Sequence, residues 1–300
     1  MVKIEIIEER DDHVTVLLKE TDRAFANALR RTLMSDVPKM AIHRVRFELG
    51  TIEDSGTGET YESVGALPDE VIAHRLAMIP IPTFHDEFCF LEDDPGNEGL
   101  PREEWGTPAS QIIYHCSARG TAEGHLVTAG DLNVLGEEKL QIPELYRAIP
   151  ITKLYAGQYL EFYAYAVLGV GSDHSKWNPV AGVSFSSRKI ATIERPTKAK
   201  ELWNLELSIG KSDFSKASKG GTLTDVRQVE TLVREMHHVG DGTARIEDFA
   251  DAITIEDVPG EYLFSFDTDG SMTARTAFEM GCKELSSRFS NLSAQLAEDL

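Results

Sequence analysis

The most constraining feature of this sequence is a run of six apolar residues near its end, which recur at alternating intervals of four and three positions. The run consists of Phe278, Cys282, Leu285, Phe289, Leu292 and Leu296. This spacing is typical of a helix that lies along another helix with a narrow apolar seam. It also suits a helix that covers the sheet of its own chain, and periodicity alone does not separate the two interpretations.

A second helix is predicted between Asp22 and Val37. Asp22 is a suitable N-cap residue, and Pro38 ends the segment. Its apolar residues recur every four positions, at Phe25, Leu29, Leu33 and Val37. This apolar stripe is able to share the C-terminal seam. The helix also carries Arg23, Arg30 and Arg31. Arginine forks suit carboxylates or carbonyls of a partner, whereas a solvated basic face is the simpler alternative.

Alternating apolar and polar residues predict strands on both sides of this helix. Residues 2–6 and 14–18 indicate a hairpin that buries one face, and residues 45–49 indicate a third strand. Residues 262–266 indicate a strand just before the C-terminal helix. The two ends of the chain therefore share one kind of pattern, strands followed by a helix.

The middle of the chain differs in character. Residues 50–182 are mainly β in pattern, with exposed loops expected at 50–66 and 92–110 and a short helix at 69–79. Residues 186–258 are a candidate third module. Its helical patterns lie at 225–236 and 246–252.

Length and charge narrow the range of functions. The 300 residues allow about two domains, and 50 acidic against 30 basic residues give a formal charge of -20. That charge disfavours direct binding to nucleic-acid backbones, so we expect no sequence-specific DNA binding. Three scattered cysteines match no zinc or disulfide framework, which indicates a reducing compartment. With no signal-peptide pattern and no apolar stretch of the roughly 20 residues that cross a bilayer, we expect a cytoplasmic protein without membrane association.

The sequence contains no motif for phosphate binding, zinc hydrolysis or serine catalysis, so we predict no catalytic and no metal-binding residue. A stand-alone enzyme is the alternative interpretation. Lys176 stands beside Trp177 and near His174, and a lysine next to an aromatic ring can act as a nucleophile or base. Nothing in the sequence supplies the rest of such a site.

Four ordered motifs resemble one protein family. Residues 23–38 are similar to the first helix of the archaeal RNA polymerase component that is related to the third subunit of eukaryotic RNA polymerase II and to bacterial alpha. Residues 67–81 are similar to the family's Asp-Glu, His-Arg-Leu and Ile-Pro pattern. Residues 127–132 with Gly157-Gln158 follow, and residues 174–180 look like the family's His-x-Lys-Trp-x-Pro.

The resemblance implies an α+β fold. It comprises a discontinuous RNA polymerase dimerisation domain, a sheet with two packed helices, together with an inserted mainly β domain and a small third α/β module. The implied boundaries are 1–48 and 259–300 for the dimerisation domain, 49–183 for the inserted domain and 184–258 for the third module.

The resemblance also implies a function and its residues. The chain would be a non-catalytic assembly subunit that forms a heterodimer with the small subunit L, on which the large catalytic subunits assemble. The dimer interface would comprise Phe25, Leu29 and Leu33 with the C-terminal run Phe278, Cys282, Leu285, Phe289, Leu292 and Leu296. Asn27, Arg30 and Arg31 would contact the second-largest subunit. The inserted domain's motif would be His74, Arg75, His174, Lys176 and Trp177.

Many archaeal members of this family hold one or two iron–sulfur clusters in the third module. A cluster needs about four thiolate ligands. Residues 184–258 contain no cysteine, so we predict that this chain has no cluster and no other cofactor.

Overall fold

The fold is that of a computed structural model, which describes residues 2–56, 58–63, 65, 67–203, 207–214, 221–238 and 251–299. The strands are β1 (Lys3–Glu9), β2 (His13–Lys19), β3 (Lys39–Phe47), β4 (Thr51–Glu53), β5 (Thr60–Glu62), β6 (Gln111–Arg119), β7 (His125–Thr128), β8 (Asn133–Val134), β9 (Pro150–Leu154), β10 (Tyr159–Gly169), β11 (Val180–Ile193), β12 (Thr222–Leu223) and β13 (Ile253–Thr268). The helices are α1 (Arg23–Ser35), α2 (Asp69–Ala77), α3 (Pro196–Trp203), α4 (Val226–Met236) and α5 (Ala274–Asp299). The predicted α+β class is confirmed.

The chain forms two compact units. The first comprises the residues up to Ile7 together with Thr15–Asn27 and Ser184–Ser265. The second comprises Glu8–Val14, Ala28–Val183 and the residues from Phe266 onward. In the described part of the chain, no helix combines the length and the apolarity that crossing a membrane requires.

The first unit is built on most of a five-stranded sheet in the order β1-β2-β13-β11-β12. On β2, Val16 and Leu18 are fully buried, as the hairpin pattern predicted. On β1 the prediction of a buried face is wrong, because Ile4 and Ile6 are 49% and 51% exposed. Both side chains lie on the face of the edge strand β1 that the described residues leave largely uncovered.

The candidate third module contributes an apolar cluster to this unit. Its buried members include Ala191, Ile193, Ala199, Ile209, Phe214, Leu223, Val229, Leu232, Ala252 and Ile253. The predicted helix at 225–236 is present as α4, and the Asp225 carboxylate caps it by accepting from the backbone N–H of Gln228 at 3.0 Å. The helix predicted at 246–252 lies mostly outside the described residues. The described residues of this module pack through this apolar cluster.

The second unit is built on a four-stranded antiparallel sheet in the order β3-β10-β6-β8. The middle strand β10 pairs with both neighbours, so Phe162 lies opposite Phe47 of β3 and opposite Cys116 of β6. Alternate residues of β10 enter the main core of the unit, among them Leu160, Phe162, Ala164 and Ala166. Helix α2 covers this inner face through Ile72 and Leu76. The sheet therefore keeps one face in the core and turns the other outward.

The two loops expected to be exposed contain more structure than predicted. Residues 50–66 include the small hairpin of β4 and β5. In residues 92–110, Asp94 and Ser110 are buried, and the prediction of exposure is wrong for them. Hydroxyl groups of Ser110 and Thr107 donate to Asp94 Oδ2 at 2.5 and 2.7 Å and hold the pKa of that carboxyl below its usual range. These hydrogen bonds compensate the burial of the polar loop.

Candidate partner-binding surface

Helix α5 has two halves with different surroundings. In its first half Phe278 stacks on Phe266 of β13, with ring centroids 6.4 Å apart. Phe278 and Cys282 are half-buried, and Leu285 is buried. These three residues of the C-terminal run therefore take part in the packing of the chain itself.

The first half of α5 also packs against α1. A Cβ atom at Gly281 would lie 2.6 Å from Leu33 Cδ2, so only glycine permits this close approach without a shift of the leucine. Leu29 and Leu33 are fully buried. On the polar side of the same pair of helices, Arg288 Nη2 of α5 donates to Asp36 Oδ1 at 2.7 Å. The apolar stripe of α1 is thus covered by the chain's own last helix at Leu33.

The second half of α5 carries apolar residues that the chain does not cover. Phe289, Leu292 and Leu296 are 58%, 53% and 53% exposed. Their spacing of three and four residues places them along one face of the helix. Burying such side chains completely would contribute about 2 kcal/mol each. The sequence left open whether the C-terminal run covers its own chain or faces another helix. Each interpretation applies to one half of α5: the first half covers its own chain, and the second half is available to another molecule.

The polar residues expected on α1 lie along a different face of that helix. Asn27 and Arg30 are half-buried and Arg31 is exposed. Arg30 Nη1 lies 3.5 Å from Met34 Sδ, one helical turn further on. At positions 27, 30, 31 and 34 these side chains share one face, opposite the buried leucines. Phe25, the first residue of the apolar stripe, is half-buried.

The five motif residues at positions 74, 75, 174, 176 and 177 do not form one site. Lys176 and Trp177 are buried, whereas His74, Arg75 and His174 are exposed. On α2, the Arg75 Nη1 atom donates to a backbone carbonyl of β9 at 2.6 Å. The motif therefore combines a structural pair with side chains that lie on the surface.

Trp177 belongs to a small buried cluster that is separate from the main core of the unit. Its indole Nε1–H donates to the carbonyl of Val167 at 3.1 Å, and its ring packs with Ala41 and Val167. A Cβ atom at Gly169 would lie 2.3 Å from that ring, so the glycine leaves the space that the indole fills. Trp177 therefore covers the outward face of the four-stranded sheet where β3 and β10 meet at Ala41 and Val167.

The amino group of Lys176 is engaged by neighbours that the sequence did not indicate. It lies 3.1 Å from His43 Nδ1 and 4.3 Å from the centroid of the Trp177 ring. His43 in turn stacks on Trp177 with ring centroids 5.6 Å apart. Because Lys176 is only 8% exposed and its amino group is already in contact, it is not placed to attack a substrate. The stand-alone enzyme interpretation is not supported.

The pKa is lowered for both members of this pair, of which Lys176 is buried and His43 is exposed. The pKa of His43 lies below its usual range because the part of its ring that packs on Trp177 is removed from water, which disfavours the imidazolium, and because the nearby Lys176 charge repels it. Burial also lowers the pKa of Lys176. The unfolded chain therefore binds a proton at His43 more readily than the folded chain does. The associated stability is fully present above about pH 6.5 and is lost as the pH falls below that value.

We expect His43→Phe, which keeps a ring on Trp177 but does not titrate, to reduce this acid sensitivity. Between about pH 7 and pH 5, the melting temperature of the variant should fall less than that of the unchanged protein. His74→Phe changes a histidine on α2 that makes no contact with Lys176 in the described part of the chain, and it provides the control, which should leave the slope unchanged. Equal falls in the unchanged protein and His43→Phe would contradict the assignment.

A buried lysine ties β3 to the turn before α5. The Lys39 Nζ atom donates to the carbonyl of Lys176 at 2.9 Å and pairs with Asp269 Oδ2. Asp269 Oδ1 accepts from both the backbone N–H and the hydroxyl of Ser271, at 3.0 and 2.6 Å. Lys39 is 4% exposed, and the counter-charge of Asp269 offsets the cost of removing its amino group from water. This pair fixes the chain just before α5 begins.

The residues present do not fit an iron–sulfur cluster. Residues 184–258 contain no cysteine. Cys116 lies in the core of the second unit, where burial raises the pKa of its thiol to about 12, far from the thiolate form that iron requires. Among the described residues, no three His, Cys, Asp or Glu side chains come together as a metal site would require.

Comparisons with known proteins show the family of this chain. The family model described as the RNA polymerase Rpb3/Rpb11 dimerisation domain matches residues 15–289. DNA-directed RNA polymerase subunit Rpo3 of Picrophilus torridus is 31% identical over 98% of this chain and 100% of its own length. The protein of the same name from Thermococcus kodakarensis is 32% identical over 99% of this chain and 100% of its own length. DNA-directed RNA polymerase II subunit rpb3 of Dictyostelium discoideum is 24% identical over 99% of this chain and 96% of its own length.

Proposed function

Because this chain belongs to the RNA polymerase Rpb3/Rpb11 dimerisation domain family, we propose that it is a non-catalytic assembly subunit of a DNA-directed RNA polymerase. The family resemblance inferred from the sequence motifs is confirmed by these matches. In this role the chain supplies a folded platform, and the nucleotidyl transfer reaction belongs to other subunits of the complex.

The observation that carries this proposal is the uncovered second half of α5. Phe289, Leu292 and Leu296 extend the seam beyond the part that the chain buries itself. An exposed apolar strip of this kind is typical of a surface that a partner covers. The expected partner is the small subunit L, with a helix of its own laid along the strip. The buried first half of α5 holds the strip in place before the partner arrives.

The polar face of α1 is the proposed contact with the second-largest subunit. Asn27, Arg30 and Arg31 lie on a face that is separate from the buried leucines of α1. Arginine in such a position can pair with carboxylates or backbone carbonyls of a large partner. The two contacts of the chain, with the small and with the large subunit, would therefore use different surfaces.

The combined substitution Arg30→Ala and Arg31→Ala tests the large-subunit contact. We expect the heterodimer with the small subunit to form with unchanged affinity, while recruitment of the second-largest subunit weakens by about a hundredfold or more, since each of the two lost charge-assisted contacts contributes about 1.5–3 kcal/mol. The measurement is stepwise reconstitution followed by gel filtration. The paired control Arg10→Ala and Arg195→Ala changes two exposed arginines elsewhere and should recruit normally. Loss of the heterodimer itself would show that Arg30 and Arg31 are misassigned.

A further inference from the structure

The outward face of the four-stranded sheet carries an ordered layer of aromatic and cationic side chains. In one row across three strands, Tyr163 of β10 lies opposite Arg46 of β3 and His115 of β6. In the next row, Tyr165 lies opposite Arg44. We call these five residues the tyrosine face.

The members of the tyrosine face are stacked on one another. The Arg46 guanidinium lies 4.8 Å from the centroid of the Tyr163 ring, and the His115 ring is 4.8 Å from the same ring. The Arg44 guanidinium lies 4.4 Å from the centroid of Tyr165. Both arginines are exposed and both tyrosines are half-buried. Stacking restricts the rotamers of these long side chains, so less entropy is lost when another molecule covers them.

This composition is characteristic of a protein-binding surface. Tyrosine and arginine are enriched at the residues that dominate binding energy in protein interfaces. Two exposed arginines on one sheet face also stand out in a chain whose formal charge is -20. Charge complementarity therefore favours an acidic partner at this position.

Single-stranded nucleic acid is also anionic, but the geometry disfavours it. Bases bind to a sheet by stacking on free aromatic rings, whereas Tyr163 already lies between Arg46 and His115. Glu48 pairs with Arg46 at 3.0 Å, and Glu161 contacts His115 at 3.2 Å. With Arg46 already paired to Glu48, the face offers Arg44 to a single carboxylate rather than the row of cations that a phosphate backbone requires.

Arg44 has N–H donors available for a further hydrogen-bond partner. In the described contacts, one of its nitrogens donates to the carbonyl of Glu103 at 3.3 Å. A guanidinium has five N–H donors, so two parallel N–H groups remain that can donate to the two oxygens of a carboxylate. The neighbouring ring of Tyr165 offers apolar area beside that charge.

We propose that the tyrosine face docks an acidic segment of another polymerase subunit, with a carboxylate on Arg44 and apolar atoms over Tyr163 and Tyr165. This inference rests on the proposed function only in taking its partner from the polymerase. The docking surface lies on the four-stranded sheet of the second unit and uses none of the residues of the α5 strip or of the polar face of α1.

A photo-crosslinking residue in place of Ser117 tests the proposal. Ser117 is exposed on β6 and points to the same side of the sheet as His115, two residues away. The tagged protein is expressed in its native host, and the intact polymerase is purified, irradiated and treated with nuclease. We expect a crosslink to an Asp- or Glu-rich segment of another subunit. Adding Arg44→Glu should reduce its yield about tenfold, the effect of losing about 1.4 kcal/mol. Arg195→Glu, in the other unit, should leave it unchanged.

Two results would overturn the proposal: a crosslink to nucleic acid, or no protein crosslink that depends on Arg44. The uncrosslinked sample tests the proposed function separately, because it shows whether the other polymerase subunits are recovered with the tagged chain. If they are recovered but no Arg44-dependent crosslink forms, only the docking proposal fails.

Discussion

Phe289→Asp combined with Leu292→Asp is expected to abolish binding of the small partner subunit while the chain itself stays folded. Both residues are more than half exposed, so the aspartates would be solvated in the isolated chain. In the complex the same charges would be buried without counter-ions, which costs several kcal/mol. Together with the lost apolar contacts, at about 2 kcal/mol each, the affinity should fall by at least roughly a thousandfold. Binding is measured by titration calorimetry and folding by thermal unfolding.

Two control variants make this prediction specific. Ala294→Asp places the same charge on the opposite side of α5 and should bind normally. Leu285→Asp lies on the seam but is buried in the chain itself, so it should lower the melting temperature rather than act on the partner alone. Tight binding by the Phe289 and Leu292 double variant would show that the exposed strip is not the interface.

Asp269→Ala is expected to destabilise the second unit by about 3–5 kcal/mol, because it leaves the Lys39 charge buried without its partner. The free energy of unfolding, measured in urea, should show this loss directly. Lys39→Met added to Asp269→Ala should recover much of it, since an apolar side chain of similar length needs no counter-charge.

Asp267→Ala is the matched control for this prediction. Asp267 lies two residues earlier and contacts His13, but its side chain is 61% exposed. Removing an exposed ion pair should cost no more than about 1 kcal/mol. If Asp269→Ala lowered the free energy of unfolding no more than Asp267→Ala, the Lys39–Asp269 pair would not be what fixes the chain before α5.

Local patterns in the sequence were sufficient to predict most of the elements near the two ends of the chain. The Asp22 cap, the four-residue spacing of Leu29 and Leu33, and Pro38 together predicted α1, because each acts within one or two helical turns. The heptad-like run predicted α5 in the same way. The motifs within residues 23–38 and 174–180 then indicated the family.

The contacts of Lys39 and His43 could not be predicted, because their partners are distant in the sequence. Lys39 meets the carbonyl of Lys176 across 137 positions and Asp269 across 230. His43 meets Lys176 across 133 positions. Periodicity cannot indicate such contacts, because they depend on how β3 and the turn at 174–177 are placed in three dimensions. For the same reason it could not show where along α5 burial ends, between Leu285 and Phe289.

The burial of Asp94 was missed for a different reason. Prolines, glycines and acidic residues, which are frequent in 92–110, are typical of exposed loops. The loop instead buries Asp94 by supplying hydroxyl donors from Thr107 and Ser110, more than ten residues further on. A satisfied polar network of this kind has no simple signature in the sequence.

The measurement that tests the assembly role most directly is purification of the tagged protein from its native host under mild conditions, with mass identification and quantification of every recovered protein. We expect one small subunit and two very large subunits in fixed ratio to the tagged chain. Recovery of the chain alone as a stable monomer would contradict the assembly role.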